Sequence, residues 1–174
     1  MTADAQLVFE TPWFRVVARE QLDAEPYYML ELPDYVAVVA LTPAPARHVL
    51  FVRQFRPVVQ RYTMELPSGH VEKDESPEDA ARRELLEETG FVAPRLELLG
   101  TLVPDVGRLA NRMWCYFAPD VSLSEGIPQR EEGVSVIEMS EREVLRHVAD
   151  GTMDHALHLA ALLLALTAGK MFLN

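Results

Sequence analysis

Glu84, Glu87 and Glu88 place three carboxylates in the run A-A-R-R-E-L-L-E-E-T-G, a stretch composed mainly of good helix formers. At 100° per residue, positions three and four apart are surface neighbours, so these acids share one stripe. Like charges so close repel by roughly 0.2–0.5 kcal/mol per pair in water, and by more where water is partly excluded. A hard divalent cation offsets that repulsion: magnesium prefers oxygen donors and binds through a few carboxylates together with phosphate oxygens of a substrate. The stripe therefore suits capture of an anionic phosphate compound through metal. An E-L-L-E-E run alone equally describes a solvated acidic helix face, so its surroundings decide.

Those surroundings are specific. Gly69 to Phe91 reads G-H-V-E-K-D-E-S-P-E-D-A-A-R-R-E-L-L-E-E-T-G-F and fills every fixed position of the pattern G-x5-E-x7-R-E-U-x-E-E-x-G-U, where U is apolar. A chance match is on the order of one in a billion per start position at ordinary residue frequencies. The segment resembles the signature of the Nudix hydrolases, which cleave nucleoside diphosphates linked to another moiety. The resemblance implies an α/β/α sandwich with a mixed sheet and a Mg2+ or Mn2+ cofactor. It implies metal ligation by Glu84, Glu87, Glu88 and the backbone carbonyl of Ser68, and an orienting ion pair between Glu75 and Arg83. Metals so held would bridge a diphosphate and orient a water for in-line attack on phosphorus. Relatives often place the base on a glutamate in the loop before a late strand, which here selects Glu132, with Glu131 or Glu87 as alternatives.

The stretches V-R-Q-F-R, ending at Arg56, and M-E-L-P-S-G, ending at Gly69, resemble the lead-in of ADP-ribose pyrophosphatases and related nucleoside diphosphate sugar hydrolases. In those relatives an arginine at the place of Arg56 contacts substrate phosphate, for which a guanidinium fork is well shaped. The polar stretch from Pro104 to Arg112 offers Arg108, Asn111 and Arg112 for a sugar or terminal phosphate, although it also reads as a solvated turn. It lacks the serine-proline-glycine motif of many ADP-ribose hydrolases, which keeps other nucleotide sugars such as GDP-mannose open. The expected reaction is hydrolysis of ADP-ribose to AMP and ribose 5-phosphate. A non-catalytic sensor of such a metabolite is the alternative from another class, and the complete set of acids favours the enzyme.

The elements that must position these residues can be read from caps and periodicity. Ser76, Pro77 and Asp79 form a helix start and Gly90 a left-handed stop, so the acidic helix spans about Pro77 to Thr89. Ala80 and Ala81 allow a close approach on the acidic side, Leu85 and Leu86 point into packing, and Leu66 to Gly69 form a tight turn. Strand-like runs precede the box at Trp13–Arg19, Tyr27–Leu32, Tyr35–Leu41 and His48–Phe55. Others follow it at Leu96–Val103, Met113–Ala118 and Val134–Met139. Ser140 and Glu143 cap a second helix ending at Gly151, and Asp154 opens a third whose Ala156, Leu157, Ala160, Leu163 and Leu164 pack on the sheet.

The 174 residues fit one domain, with a strand-rich extension over 1–42 ahead of a catalytic core over 43–174. In ADP-ribose-type members such an extension forms a small antiparallel sheet and serves a homodimer. The balance of 16 basic against 27 acidic residues gives a formal charge of -11, which argues against nucleic acid and anionic membrane as partners. Cys115 is the only cysteine, so no disulfide forms within the chain. The first residues lack the form of a signal peptide, and the apolar run from Ala156 to Leu166 falls short of the roughly 20 residues of a membrane span. A cytoplasmic protein is expected.

Overall fold

The computed structural model describes residues 5–22, 24–125 and 133–172. The elements run β1 (Gln6–Glu10), β2 (Arg15–Gln21), β3 (Ala24–Glu31), β4 (Tyr35–Ala40), β5 (His48–Arg56), β6 (Arg61–Glu65), β7 (Ser68–His70) and α1 (Pro77–Thr89). They continue with β8 (Phe91–Val92), β9 (Glu97–Leu102), β10 (Met113–Ala118), β11 (Ser122–Leu123), β12 (Ser135–Ser140), α2 (Glu141–Ala149) and α3 (Ala156–Thr167). The chain has a mixed α/β fold with an antiparallel N-terminal sheet β1-β2-β3. A four-stranded sheet β7-β4-β10-β9 and a three-stranded sheet β12-β5-β6 form the centre, linked where Leu41 bridges Val49.

Strand β4 shows how the layers arise. Its alternating side chains divide between two cores, as a period of two requires. Val36, Val38 and Ala40 join Ala80, Ala81 and Leu85 of α1, whereas Ala37 and Val39 join Ala161, Leu162 and Ala165 of α3. Both faces are fully covered, so β4 reads as an unbroken apolar run, and it pairs parallel to β10 with Val36 opposite Trp114. Cys115 sits in this interior, where burial pushes its thiol up to about 12.

The caps explain the position of α1. Ser76 Oγ accepts the Asp79 N–H at 3.1 Å, Pro77 occupies the first turn, and Gly90 (φ 78°) donates to the Leu86 carbonyl at 2.7 Å. The alanines lie against the sheet, so the close approach their size permits is made by protein. Leu86 departs from expectation: it is exposed beside Val92 and Ala93, and Leu85 alone of the two enters the core.

Two further differences concern short elements. Ser68–His70 is a strand rather than a turn, because Ala37, Val36 and Tyr35 supply an antiparallel partner about 30 residues away in sequence. The cap of α3 is His155, whose Nδ1 accepts the His158 N–H, while Asp154 instead pairs with Arg61. The Pro104–Arg112 loop is docked on the N-terminal sheet: Leu30 donates to the Arg108 carbonyl at 2.8 Å and the Tyr27 hydroxyl donates to Gly107. Among the described residues no helix is long and apolar enough to cross a membrane.

Candidate active site

A cavity of about 620 Å³ opens where α1, β7, the end of β5, the end of β6 and the start of α3 meet. Glu84, Glu88, Ser68 and Gly69 form one wall, and Arg56, Glu65, Asn111 and His155 stand elsewhere around it. Each position follows from local structure. Helix α1 lies against β4 and β7, so its acidic stripe meets the backbone of β7 directly.

Contact between helix and strand is close enough to require glycine at 69. A Cβ built there would lie 2.0 Å from Glu84 Oε1 and 2.1 Å from its Cδ, far inside van der Waals contact. Next to it the Ser68 N–H donates to Glu88 Oε2 at 2.8 Å, fixing a carboxylate that is only 4% exposed. Such a charge-assisted bond is stronger than a neutral one and orients the group. Glu87 lies differently. Taking Glu84 as the centre of the stripe, 100° steps set Glu88 about 40° to one side and Glu87 about 60° to the other. The strand covers the Glu88 side; Glu87 is 55% exposed, outside the cavity wall, and meets Arg83 Nη1 at 3.2 Å.

Arg83 is the hub of the loop. Its Nε and Nη2 donate to the two oxygens of Glu75 at 2.9 and 3.0 Å, Nη2 also donates to the His70 carbonyl at 2.9 Å, and Nη1 donates to Glu84 Oε1 at 2.7 Å. Hydrogen bonds from Arg83 hold the Glu75 carboxyl below its ordinary range, and Glu75 in return raises the affinity of Arg83 for its proton. One guanidinium thereby joins the loop, the end of β7 and the acidic stripe.

In the lining of the same cavity Arg56 makes a two-pronged pair with Glu65, Nε and Nη2 each donating at 2.7 Å. The Glu65 side chain is buried, which alone would raise its pKa; the bonds from Arg56 and from the Thr63 hydroxyl outweigh that and hold it at about 2. Asn111 is buried and lines the cavity, donating to the Pro33 carbonyl at 3.1 Å, and its Oδ1 has no partner among the described residues. Arg108 and Arg112 are elsewhere: the first lies over the Tyr27 ring at 4.5 Å, and the second is exposed, with its backbone N–H donating to Asp34. Neither forms part of this cavity wall. Glu131 and Glu132 lie outside the described residues.

The sequence reading assigned no role to Gln54, Glu65, His155 or His158, all of which line the cavity. His158 Nδ1 accepts the Leu66 N–H at 3.0 Å, tying α3 to the strand end beside the box. Burial, helped by His155, drives the His158 pKa down to about 3, with Glu65 opposing. The unfolded chain therefore binds a proton that the folded chain refuses between its ordinary 6.5 and about 3, so stability is full above that window and falls as pH drops through it. The loss for this group is on the order of a few kcal/mol. Thermal melts from pH 7 to pH 4 should show a falling midpoint, with a shallower slope in His158→Gln; parallel slopes would contradict the assignment.

The donor set around Gly69 fits a hard divalent cation. Glu84 and Glu88 offer carboxylate oxygens side by side, and the missing Cβ at 69 leaves both acids against the strand. Comparison with known proteins agrees with this chemistry. The NUDIX domain matches residues 32–160. An uncharacterised Nudix hydrolase of Schizosaccharomyces pombe is 39% identical over 93 residues, covering 53% of this chain and 45% of that protein. An ADP-ribose pyrophosphatase of Bacillus subtilis is 32% identical over 145 residues, 79% of this chain and 77% of its own length. The crystal structure of an ADP compounds hydrolase superposes with a TM-score of 0.76 over 98% of this chain and 94% of that one, at 20% identity, a likeness of fold. With the signature helix, its strand partner and three quarters of its length matched by one sequence family, the chain belongs to the Nudix hydrolases, which act on phosphorus-containing anhydrides.

Proposed function

We propose that the protein is a metal-dependent pyrophosphatase of nucleoside diphosphate sugars, with ADP-ribose as substrate and AMP and ribose 5-phosphate as products. The observation that carries this reading is the convergence of Glu84 and Glu88 on the glycine strand in a cavity that Arg56 also lines. Both features suit a diphosphate: acids that hold cations, and a fixed guanidinium that binds phosphate oxygens. The bound cation, Mg2+ or Mn2+, supplies neutralisation of phosphate charge and a more acidic water.

The remaining roles belong to the chain. Glu84 and Glu88 hold the cation, with Glu87 on the solvent side and the Ser68 carbonyl as a backbone ligand. Glu75 and Arg83 orient the loop and present Glu84. Arg56, kept in place by Glu65, binds phosphate, and Asn111 contacts the sugar side. Water adds to phosphorus, the bridging P–O bond breaks, and the water's proton passes to a carboxylate base, Glu132 in this proposal. Residues 1–42 serve as an association element: Leu7, Phe9, Trp13 and Tyr28 are exposed on and beside the N-terminal sheet, an apolar surface suited to a two-fold dimer.

Incubation with ADP-ribose, GDP-mannose, NADH, diadenosine polyphosphates and nucleoside triphosphates, with and without magnesium, tests the reading. ADP-ribose should yield AMP and ribose 5-phosphate only when magnesium is present. Turnover confined to triphosphates or dinucleotides, or undiminished by chelation, would contradict it.

A further inference from the structure

Beside the carboxylate cavity lies a second one of about 670 Å³, walled largely by apolar side chains of the β5–β6 turn and the first turn of α3. The two share a seam formed by Arg56, Glu65, Pro104, Leu109, His155 and Leu157. Any ligand reaching from the acids of α1 into the second space must cross it. Polar side chains in this seam are few, so what they can donate or accept defines the chemistry of the crossing point.

Glu65, His155 and His158 bring ligand atoms within 4.8 Å of one another, a spacing at which such a group could hold a metal ion. The hydrogen bonds argue otherwise. His158 Nδ1 accepts the Leu66 N–H at 3.0 Å and His155 Nδ1 accepts the His158 N–H at 3.4 Å, so each ring carries its proton on Nε2. A metal at Nε2 would have to displace that proton. Glu65 is also committed, one oxygen to Arg56 and Thr63 and the other to Arg56. The cluster is an array of donors rather than a cage of lone pairs.

His158 is buried, whereas His155 is partly exposed and borders both cavities. Its ring is held twice, by the cap bond to its own helix and by stacking on His158 with centroids 3.8 Å apart and planes 18° apart. That leaves Nε2 as a fixed donor on the edge away from the helix. Arg56 borders the same two cavities, its guanidinium held by the Glu65 carboxylate that also lies within 4.8 Å of the histidines, and a guanidinium and an imidazole N–H lining one passage together suit an anionic oxygen.

We propose that His155 is a substrate-binding residue, donating from Nε2 to a non-bridging oxygen of the phosphate that Arg56 contacts. This rests on the diphosphate reading above, and a second probe separates the two. His155→Asn is the informative variant, because asparagine is a favoured helix cap and preserves the start of α3 while removing the ring that reaches the seam. With magnesium present, it should bind α,β-methylene ADP-ribose about tenfold to a hundredfold more weakly than the parent, with an unchanged melting temperature. Methylenediphosphonate, which has neither nucleoside nor sugar, should lose affinity similarly. In the parent, the His155 Nε2 nitrogen resonance should shift when either probe binds.

Equal affinity of parent and variant for methylenediphosphonate would overturn the proposal and reduce His155 to a helix cap. Binding of methylenediphosphonate but not of the ADP-ribose analogue would overturn the nucleotide-sugar reading, and the His155 comparison would then be decided on the diphosphonate. Binding of neither probe would overturn both. A variant that melts early is replaced by His155→Ser, another good cap, with the same expected losses.

Discussion

Glu88→Gln is expected to fold like the parent and to lose about a thousandfold in kcat/KM with magnesium, equivalent to about 4 kcal/mol of transition-state stabilisation. The substitution is nearly isosteric, and its amide oxygen can still accept the Ser68 N–H that Glu88 accepts at 2.8 Å. Position and packing are therefore preserved while the negative charge is removed. A stability change would register as a shifted melt, whereas a charge effect registers in turnover and in the magnesium concentration needed for it. Turnover within tenfold of the parent, at any magnesium level, would show that this carboxylate does not hold the cation.

Gly69→Ala should be the next most damaging change, and it touches no charge at all. Glycine at 69 is required by space: the added methyl would sit 2.0 Å from Glu84 Oε1, so that carboxylate must swing away. The end of a side chain yields more cheaply than a strand, so the fold should survive with a loss of about 1 kcal/mol or less. The displaced acid is also the one that Arg83 Nη1 grips at 2.7 Å, so the disturbance extends to the loop. An activity loss of about a hundredfold, with a raised magnesium requirement, is expected, since small misplacements of catalytic groups cost that much. An alanine variant with parental turnover would mean that the contact between β7 and Glu84 is irrelevant to chemistry.

The residues that do local work were legible before the structure. Ser76, Pro77, Asp79 and Gly90 set the ends of α1 through contacts within four residues, and the structure places those ends at Pro77 and Thr89. Strand β10 was equally legible, because a continuous apolar run between turns leaves little choice. What was not legible depends on distant partners. Ser68–His70 has no strand signature in its three residues and becomes a strand only by pairing with β4. Leu86 and Glu87 follow the same logic: helical periodicity gives their angles but not which side the sheet will cover.

The histidines were hidden for a similar reason. His155 and His158 sit at the start of a run that reads as an apolar packing helix, and the partners that define them, Leu66 and Glu65, are about 90 residues earlier. A pair of histidines three apart at a helix start was the available signal, since that spacing puts both rings on one face. Glu65 was visible only as a letter in the M-E-L-P-S-G run; its role as holder of Arg56 needed the β5–β6 pairing that sets Arg56 opposite Arg61 and brings Glu65 opposite Val52.

Crystals grown with manganese and α,β-methylene ADP-ribose offer the most direct test of the whole account. Anomalous scattering should reveal manganese in contact with the carboxylates of Glu84 and Glu88 beside Gly69, with the diphosphate reaching toward Arg56. Manganese absent from those acids, or bound instead among Glu65, His155 and His158, would contradict it.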